Sequence, residues 1–408
     1  MALNLAKKVW RVKEMARKEG VLAALRAVVR RLRQGPGRHV DVFRHYGFAM
    51  PYVLPARPGE AKQGTLLWFI PDFNVGSGGH LNIFRTIWHL EQMGYVSSIV
   101  IANPVMHHDA HEARNAIRKH FFPLEAAVLL GQDKLPPCEF AVATGWDTAY
   151  TVRAFAGARS KLYFVQDYEP HFYPVGSESV LAQNTYHFGF FGITAGAWLA
   201  EKLAKEYGMA TRPVGFGVEL ERYRRLPRRE PEIRRVFFYA RPPTPRRAFE
   251  LGLLVLNAVW QRMPDTQFVL AGWDTAGYHI PFPHLPCGTV ALDDLPDLYS
   301  QCDVALVLSL TNASLLPLEL MASGCAVVSN RGPNVEWLLH EDVAVLAETS
   351  PEGLTAAICG LLEDDERRHA LSARAEAFAR AHTWEMVAQE FEVALLDARA
   401  QVHKKGLS

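Results

Sequence analysis

The chain has 408 residues, 49% hydrophobic and 21% charged, with 44 Lys and Arg against 43 Asp and Glu. That length calls for two or three domains, and the composition is that of a packed globular protein. A net charge of +1 argues against general nucleic-acid binding, and no apolar run reaches the roughly 20 residues of a membrane span.

Five cysteines (Cys138, Cys287, Cys302, Cys325 and Cys359) are scattered without C-x-x-C spacing, which predicts a reducing compartment and no metal site. The first 30 residues lack the apolar core of a signal peptide, so a cytoplasmic location is expected. Residues 1–38 are strongly basic, with Lys7, Lys8, Arg11, Lys13 and Arg17 among the cations and only Glu14 and Glu19 against them. Leu5, Val9, Val12, Val21, Leu25 and Val28 fall near helical spacing. The segment reads either as amphipathic helix on an anionic membrane surface, here the inner face of the cell membrane, or as a solvated helix packed on its domain. Gly35-Pro-Gly37 ends it, and residues 39–63, with three prolines, read as a connector.

Thr65–Pro71 is a buried-strand run. It feeds Asn74-Val-Gly-Ser-Gly-Gly-His80, a helix over Leu81–Met93 ending at Gly94, and a strand over Ser97–Ala102. Gly76, Gly78 and Gly79 let backbone approach a ligand at the carboxyl end of a strand, and His80 stands at the helix start. A tight βα turn would use the same residues. Phe140–Thr144 and Leu162–Val165 are further strands, ending in Gly145-Trp-Asp147 and Gln166-Asp-Tyr-Glu-Pro-His171. Ligands of open α/β sheets sit beyond such ends. Asp147, Asp167, Glu169 and His171 are therefore candidates for acceptor binding or proton transfer, Asp167, Glu169 and His171 foremost.

Phe188–Thr194 reads as a strand and Gly196–Tyr207 as a helix closed by Gly208. Arg222 to Arg235, polar and proline-containing, is the expected linker between two halves. The second half opens with the strand Val236–Ala240, followed by Arg241 and Arg246 five positions apart around Pro-Pro-Thr-Pro, with Arg247 beside them. Arginine forks suit phosphate oxygens and stay charged. A helix over Ala248–Met263, a strand over Gln267–Ala271, Gly272-Trp-Asp274 and a short strand at Thr289-Val290 come next. The strand Val304–Leu308 leads into Ser309–Asn330, where a polar loop turns helical at about Ser314, stops at Gly324 and gives way to the strand Ala326–Ser329. Asn312 and Ser314 are both capable N-caps, Pro317 fits a first turn, and Glu319 follows one turn on. Free N–H groups and the helix dipole there suit an anion, and Glu319 can accept hydrogen bonds from hydroxyls attached to it. A diphosphate carried by a sugar meets both demands. Glu352–Glu363, Asp365–His382 and a last helix from Thr383 to about Ala400 close the chain.

Small polar loop, Pro-Leu-Glu, Met-Ala-x-Gly and strand resemble the donor-site signature of the retaining family 4 glycosyltransferases, of GT-B fold. The resemblance spans about residues 64–395. It implies α/β architecture: two Rossmann-like domains with parallel sheets facing a central cleft, and a C-terminal helix crossing back to the N-terminal domain. The implied divisions are 39–228 for the acceptor domain, 229–384 for the donor domain and 385–408 for the crossover helix and tail, after the basic segment 1–38. The donor-binding set it implies is Arg241, Arg246, Gly272, Thr311, Asn312, Ser314, Leu315 and Glu319, with Glu319 on the nucleotide ribose. The loop of Gly76, Gly78, Gly79 and His80 would face the cleft. The family carries a glutamate where this chain has Thr311, and a neutral hydroxyl there suits a deoxysugar. Together with YFVQDYEP and FYARPPTPRRAFEL, this looks most like the rhamnosyltransferases of bacterial polyrhamnose and S-layer glycans. The expected substrates are a dTDP-rhamnose donor and a glycan or lipid-linked glycan acceptor, without cofactor or metal. A UDP- or GDP-sugar enzyme of the same fold and a non-catalytic carbohydrate-binding scaffold are the readings it leaves open.

Overall fold

The computed structural model describes residues 42–405. The basic segment 1–38 lies outside the described residues. The described residues up to Pro51 and those from Tyr52 onward belong to separate units. The described part of the first is a short helix, Val42–Tyr46, running into a 3-10 turn at Gly47–Ala49, so part of the predicted connector is helical.

The second unit contains two sheets, every strand pairing in them parallel. The N-half sheet is built from β1 (Thr65–Ile70), β2 (Val96–Ile101), β3 (Ala127–Leu130), β4 (Cys138–Ala143), β5 (Ala158–Val165), β6 (Phe191–Ala195) and β7 (Ala210–Val214), in the order β3-β2-β1-β4-β5-β6-β7. The C-half sheet has β8 (Arg235–Tyr239), β9 (Gln267–Ala271), β10 (His284–Gly288), β11 (Val304–Val307), β12 (Ala326–Asn330) and β13 (Val345–Ala347), in the order β10-β9-β8-β11-β12-β13. Parallel strands covered by helices on both faces are apolar along their length. β1 and β11 show it: Leu66 through Ile70 and Val304 through Val307 are all buried. Each large side chain so buried contributes about 1.5–3 kcal/mol of transfer free energy.

The helices are α1 (Gly78–Gln92), α2 (Ala110–His120), α3 (Trp146–Ala154), α4 (Ser177–Asn184), α5 (Ala197–Tyr207), α6 (Phe249–Arg262), α7 (Leu295–Ser300), α8 (Leu316–Ala322), α9 (Pro333–Glu336), α10 (Pro351–Glu363), α11 (Asp365–Arg380) and α12 (Trp384–Lys405). α1 begins three residues earlier than the sequence suggested, because Gly78 and Gly79 are taken into its first turn. The expected strand at Thr289-Val290 lies instead at His284–Gly288, an edge strand that tolerates Pro286 with a register shift there. β7 accepts Pro213 on the opposite sheet's edge for the same reason.

α12 returns to the first half. Its Phe391, Ala394, Leu395 and Ala398 enter the N-half core beside Trp68 and Phe164. Arg399 reaches the buried Glu139 with two hydrogen bonds, 2.5 and 3.0 Å. The chain is anchored on the C-half well before β8: Phe216, Val218 and Tyr223 belong to the C-half core, and Arg228 binds Asp303 at 2.5 and 3.0 Å.

Candidate active site

In the N-half the strand order reverses between β1 and β4, and in the C-half between β8 and β11. At such a switch point adjacent connections leave toward opposite faces, which opens a crevice beyond the carboxyl ends of the strands. The loop after β1 carries Gly76, the loop after β8 carries Arg241 and Arg246, and the loop after β11 carries Thr311, Asn312, Ser314 and Leu315. Gly272 follows β9 and Glu319 sits in α8.

Arg241 is held by two side chains. Its Nε donates to Thr244 Oγ1 at 3.2 Å and one terminal nitrogen donates to the Tyr239 hydroxyl at 3.2 Å. Thr244 belongs to the proline-rich turn itself, so the prolines set the aim of the fork and little entropy remains to be lost on binding. Arg246 lies with its guanidinium 4.0 Å from the ring centre of Phe172, and its Nε is 3.2 Å from Asp167 Oδ2. Arg247, which the sequence reading left out of the donor set, turns under the β11 loop and donates to Ser309 Oγ at 2.8 Å. Burial draws its pKa down. Gly272 has φ +120°, and a Cβ there would stand 2.6 Å from the Tyr239 ring. It is the clearance for Tyr239, and through Tyr239 for Arg241.

The β11 loop departs from the sequence expectation. α8 starts at Leu316 with Leu315 at its N-cap, and no side chain caps it. Asn312 is not a cap because its amide is committed elsewhere. Nδ2 donates to Gln166 O at 3.0 Å and Ala195 O at 2.9 Å, while Oδ1 accepts from Ala313 N at 3.0 Å and Trp337 Nε1 at 2.8 Å. The side chain is fully buried with all its hydrogen-bonding capacity used, so it is a strut between the halves and not a free donor ligand. Thr311 is likewise buried, and its hydroxyl donates to Asp167 Oδ2 at 3.0 Å. Ser314 and Leu315 stay partly exposed.

The three proton-transfer candidates separate. Asp167 faces the C-half through Thr311 and Arg246; burial pushes its carboxyl up against the pull of Arg247 and Arg246. Glu169 rolls inward in a 3-10 turn, Glu169–Phe172, and both its oxygens are taken, by Trp146 N at 2.7 Å and the Tyr163 hydroxyl at 2.8 Å. Burial pushes it up to about 8. Being enclosed and saturated, Glu169 is a structural acid and not a proton-transfer group of the cleft. His171 is exposed, its ring edge-on to Tyr168 at 4.6 Å. Burial likewise raises the Asp147 carboxyl.

Of the glycine loop, Gly76 takes φ +89°, while Gly78 and Gly79 open α1. Gln166 fastens this loop to the end of β5, donating to Gly79 O at 3.2 Å and accepting from Asn82 Nδ2 at 3.0 Å. His80 is engaged on both nitrogens, with Ser77 Oγ at 2.8 Å and Pro71 O at 3.1 Å. A carbonyl only accepts, so Nε2 carries the proton and Nδ1 accepts from Ser77. This fits burial lowering the pKa of the ring. His80 therefore pins the loop.

Glu319 lies toward a polar cluster that the sequence reading did not foresee. Burial pushes its carboxyl up to about 7, opposed by the nearby Arg85 guanidinium and a hydrogen bond from Tyr223. Arg85, on α1, is buried, stacks over Trp384 at 4.2 Å and pairs with Glu219, which in turn pairs with Arg222 at 2.7 Å. The signal was present: Arg85 interrupts the apolar side of α1 between Phe84 and Ile87. Its partner, 134 residues away, was not.

Two parallel Rossmann-like halves meeting at a switch-point crevice, with the last helix returning to the first half, are the GT-B fold of glycosyltransferases. Comparisons with known proteins agree. Residues 234–359 match the WsaF C-terminal domain family. The chain is 33% identical over 369 residues to the O-antigen biosynthesis protein RfbC of Myxococcus xanthus, covering 86% of this chain and 28% of that protein. The chain thus spans little more than a quarter of that relative. Among solved structures, a mutant of S. aureus TarM in complex with fondaparinux, α-GlcNAc-glycerol and UDP superposes with a TM-score of 0.66 at 9% identity, over 81% of this chain and 99% of the other. Sucrose-phosphate synthase from Thermosynechococcus elongatus gives 0.63 at 13% identity, over 83% and 99%. Anabaena HepE in complex with UDP and glucose gives 0.63 at 15%, over 82% and 99%. At these identities the superpositions establish the fold.

Proposed function

We propose that the chain is a retaining glycosyltransferase of family 4 type, moving a sugar from a nucleoside-diphosphate donor to a glycan or lipid-linked glycan acceptor in surface polysaccharide synthesis. The donor in this reading is dTDP-L-rhamnose. One observation supports it: two cations suited to a diphosphate, Arg241 and Arg246 on the loop after β8, and an acid suited to ribose hydroxyls, Glu319 in the helix that follows β11, come after the two strands that flank the C-half switch point. The O-antigen relative supports the product class, and Thr311 in place of an acid supports a deoxysugar.

In this reading the bond between the sugar C1 and the diphosphate oxygen breaks while the acceptor oxygen bonds to C1 on the same face. The acceptor proton passes to the departing phosphate, so no protein base is invoked. Arg241 and Arg246 stabilise the charge that develops on the leaving group, a term often worth several kcal/mol. Ionised Glu319 accepts the hydrogen bond of the 3′-hydroxyl. No resident cofactor takes part.

The test is sugar transfer to a lipid-linked or soluble glycan acceptor, read by mass spectrometry. Transfer from dTDP-rhamnose is expected, and Arg241→Ala should lower kcat/KM by about 100-fold or more. Transfer only from UDP- or GDP-sugars would discard the donor. No transfer from any nucleotide-sugar, with Arg241→Ala still binding a glycan partner normally, would discard the enzyme.

A further inference from the structure

The contact between Arg246 and Asp167 joins the two halves across the crevice. Arg246 belongs to the loop after β8, Asp167 to the end of β5. Arg246 Nε lies 3.2 Å from Asp167 Oδ2 but has no hydrogen-bond partner, so the attraction is charge against charge without aligned geometry. The Phe172 ring under the guanidinium fixes its plane. Asp167 is 8% exposed and is held by Thr311 Oγ1 at 3.0 Å and its neighbour Tyr168 N at 2.8 Å. A desolvated carboxylate is well compensated only by aligned, preferably bidentate, pairing. Asp167 lacks that, so an anion offering Arg246 better geometry would take the guanidinium from it. A diphosphate, with more charge and more acceptor oxygens, is such an anion.

We infer that Asp167 is the resident counter-anion of Arg246: it parks the guanidinium in the crevice between turnovers and competes with the donor diphosphate for it. This rests on the donor-site reading of Arg246. Asp167 is thereby a positioning residue and touches no reacting atom. Its charge keeps Arg246 aimed and limits the affinity for the departing nucleoside diphosphate, so it favours product release.

The test is calorimetric titration of the full chain with dTDP and with UDP. Asp167→Asn removes the charge and keeps an acceptor for Thr311. It should tighten nucleoside-diphosphate binding by about tenfold, the scale of one partly buried ion pair. The gain should vanish in the Arg246→Ala background, and Asp167→Glu, which keeps the charge, should return the affinity to near that of the unmodified chain. Thr311→Val, which loosens the same contact without changing charge, should not tighten binding. If Asp167→Asn fails to fold, Asp167→Ser serves as the charge-removing variant. Unchanged or weaker binding in the charge-removing variant, a gain that persists without Arg246, or an equal gain in Thr311→Val would each overturn the inference while leaving the donor site standing. No binding of either nucleotide to the unmodified chain would overturn the donor-site reading and the inference together.

Discussion

Asn312 offers the sharpest test of how the halves are held. Asn312→Asp keeps the shape and replaces two N–H donors by a carboxylate oxygen. That oxygen would face the carbonyls of Gln166 and Ala195 at 3.0 and 2.9 Å. The bonds from Ala313 N and Trp337 Nε1 survive. The loss is two hydrogen bonds at about 1 kcal/mol each, plus two carbonyls left against a buried charge, about 3–5 kcal/mol in total. For a chain this size about 1–3 °C of Tm accompanies each kcal/mol, so a drop of roughly 5–10 °C is expected. Protonation of the new acid restores a donor, so the deficit should shrink between pH 8 and pH 5. Thermal unfolding followed by circular dichroism at both pH values measures it. A Tm within about 2 °C of the unmodified chain at pH 8 would refute the argument that this amide bridges the halves.

Three further outcomes follow from buried groups and close approaches. Glu169 has its carboxyl raised from an ordinary 4.5 to about 8, so between those values the folded chain holds a proton the unfolded chain has released. Stability should fall as pH rises through that window, and Glu169→Gln should flatten the slope of urea midpoints measured from pH 5 to pH 8.5. Gly272→Ala places a Cβ 2.6 Å from the Tyr239 ring at φ +120° and should cost about 2 kcal/mol or more. Because Tyr239 steadies Arg241, calorimetric affinity for dTDP should fall with it. Arg399→Ala leaves the buried Glu139 with the Gly64 N–H but without its cation and should cost about 2 kcal/mol, read as a shifted denaturant midpoint.

Much of this fold is written in local pattern. Fully apolar strands such as Leu66–Ile70 and Val304–Val307 announce parallel sheets, and the glycine after a helix, as at Gly94, Gly208 and Gly324, sits at positive φ in each case. Arg241 and Arg246 could be singled out because a loop after a buried strand is where such a fold binds ligands. What local pattern does not carry is the pairing of side chains across the halves. Asn312 looks like a helix cap by its neighbours; its actual partners are 146 and 117 residues away. Glu169 looked available because a polar residue after a strand usually faces solvent, but a 3-10 turn folded it onto Tyr163. Edge strands with proline, β7 and β10, escaped for the opposite reason: proline argues against a strand unless one knows it lies at the rim.

A nucleoside-diphosphate sugar bound in the crevice would stabilise the folded chain. The most direct measurement is thermal unfolding of the full chain with dTDP, UDP, GDP and their sugars in turn. A ligand at about 100 times its Kd should add about 2.7 kcal/mol of stability, a clear rise in Tm. The expected result is the largest rise with dTDP or dTDP-rhamnose, abolished by Arg241→Ala. No rise with any of the nucleotides would contradict the account.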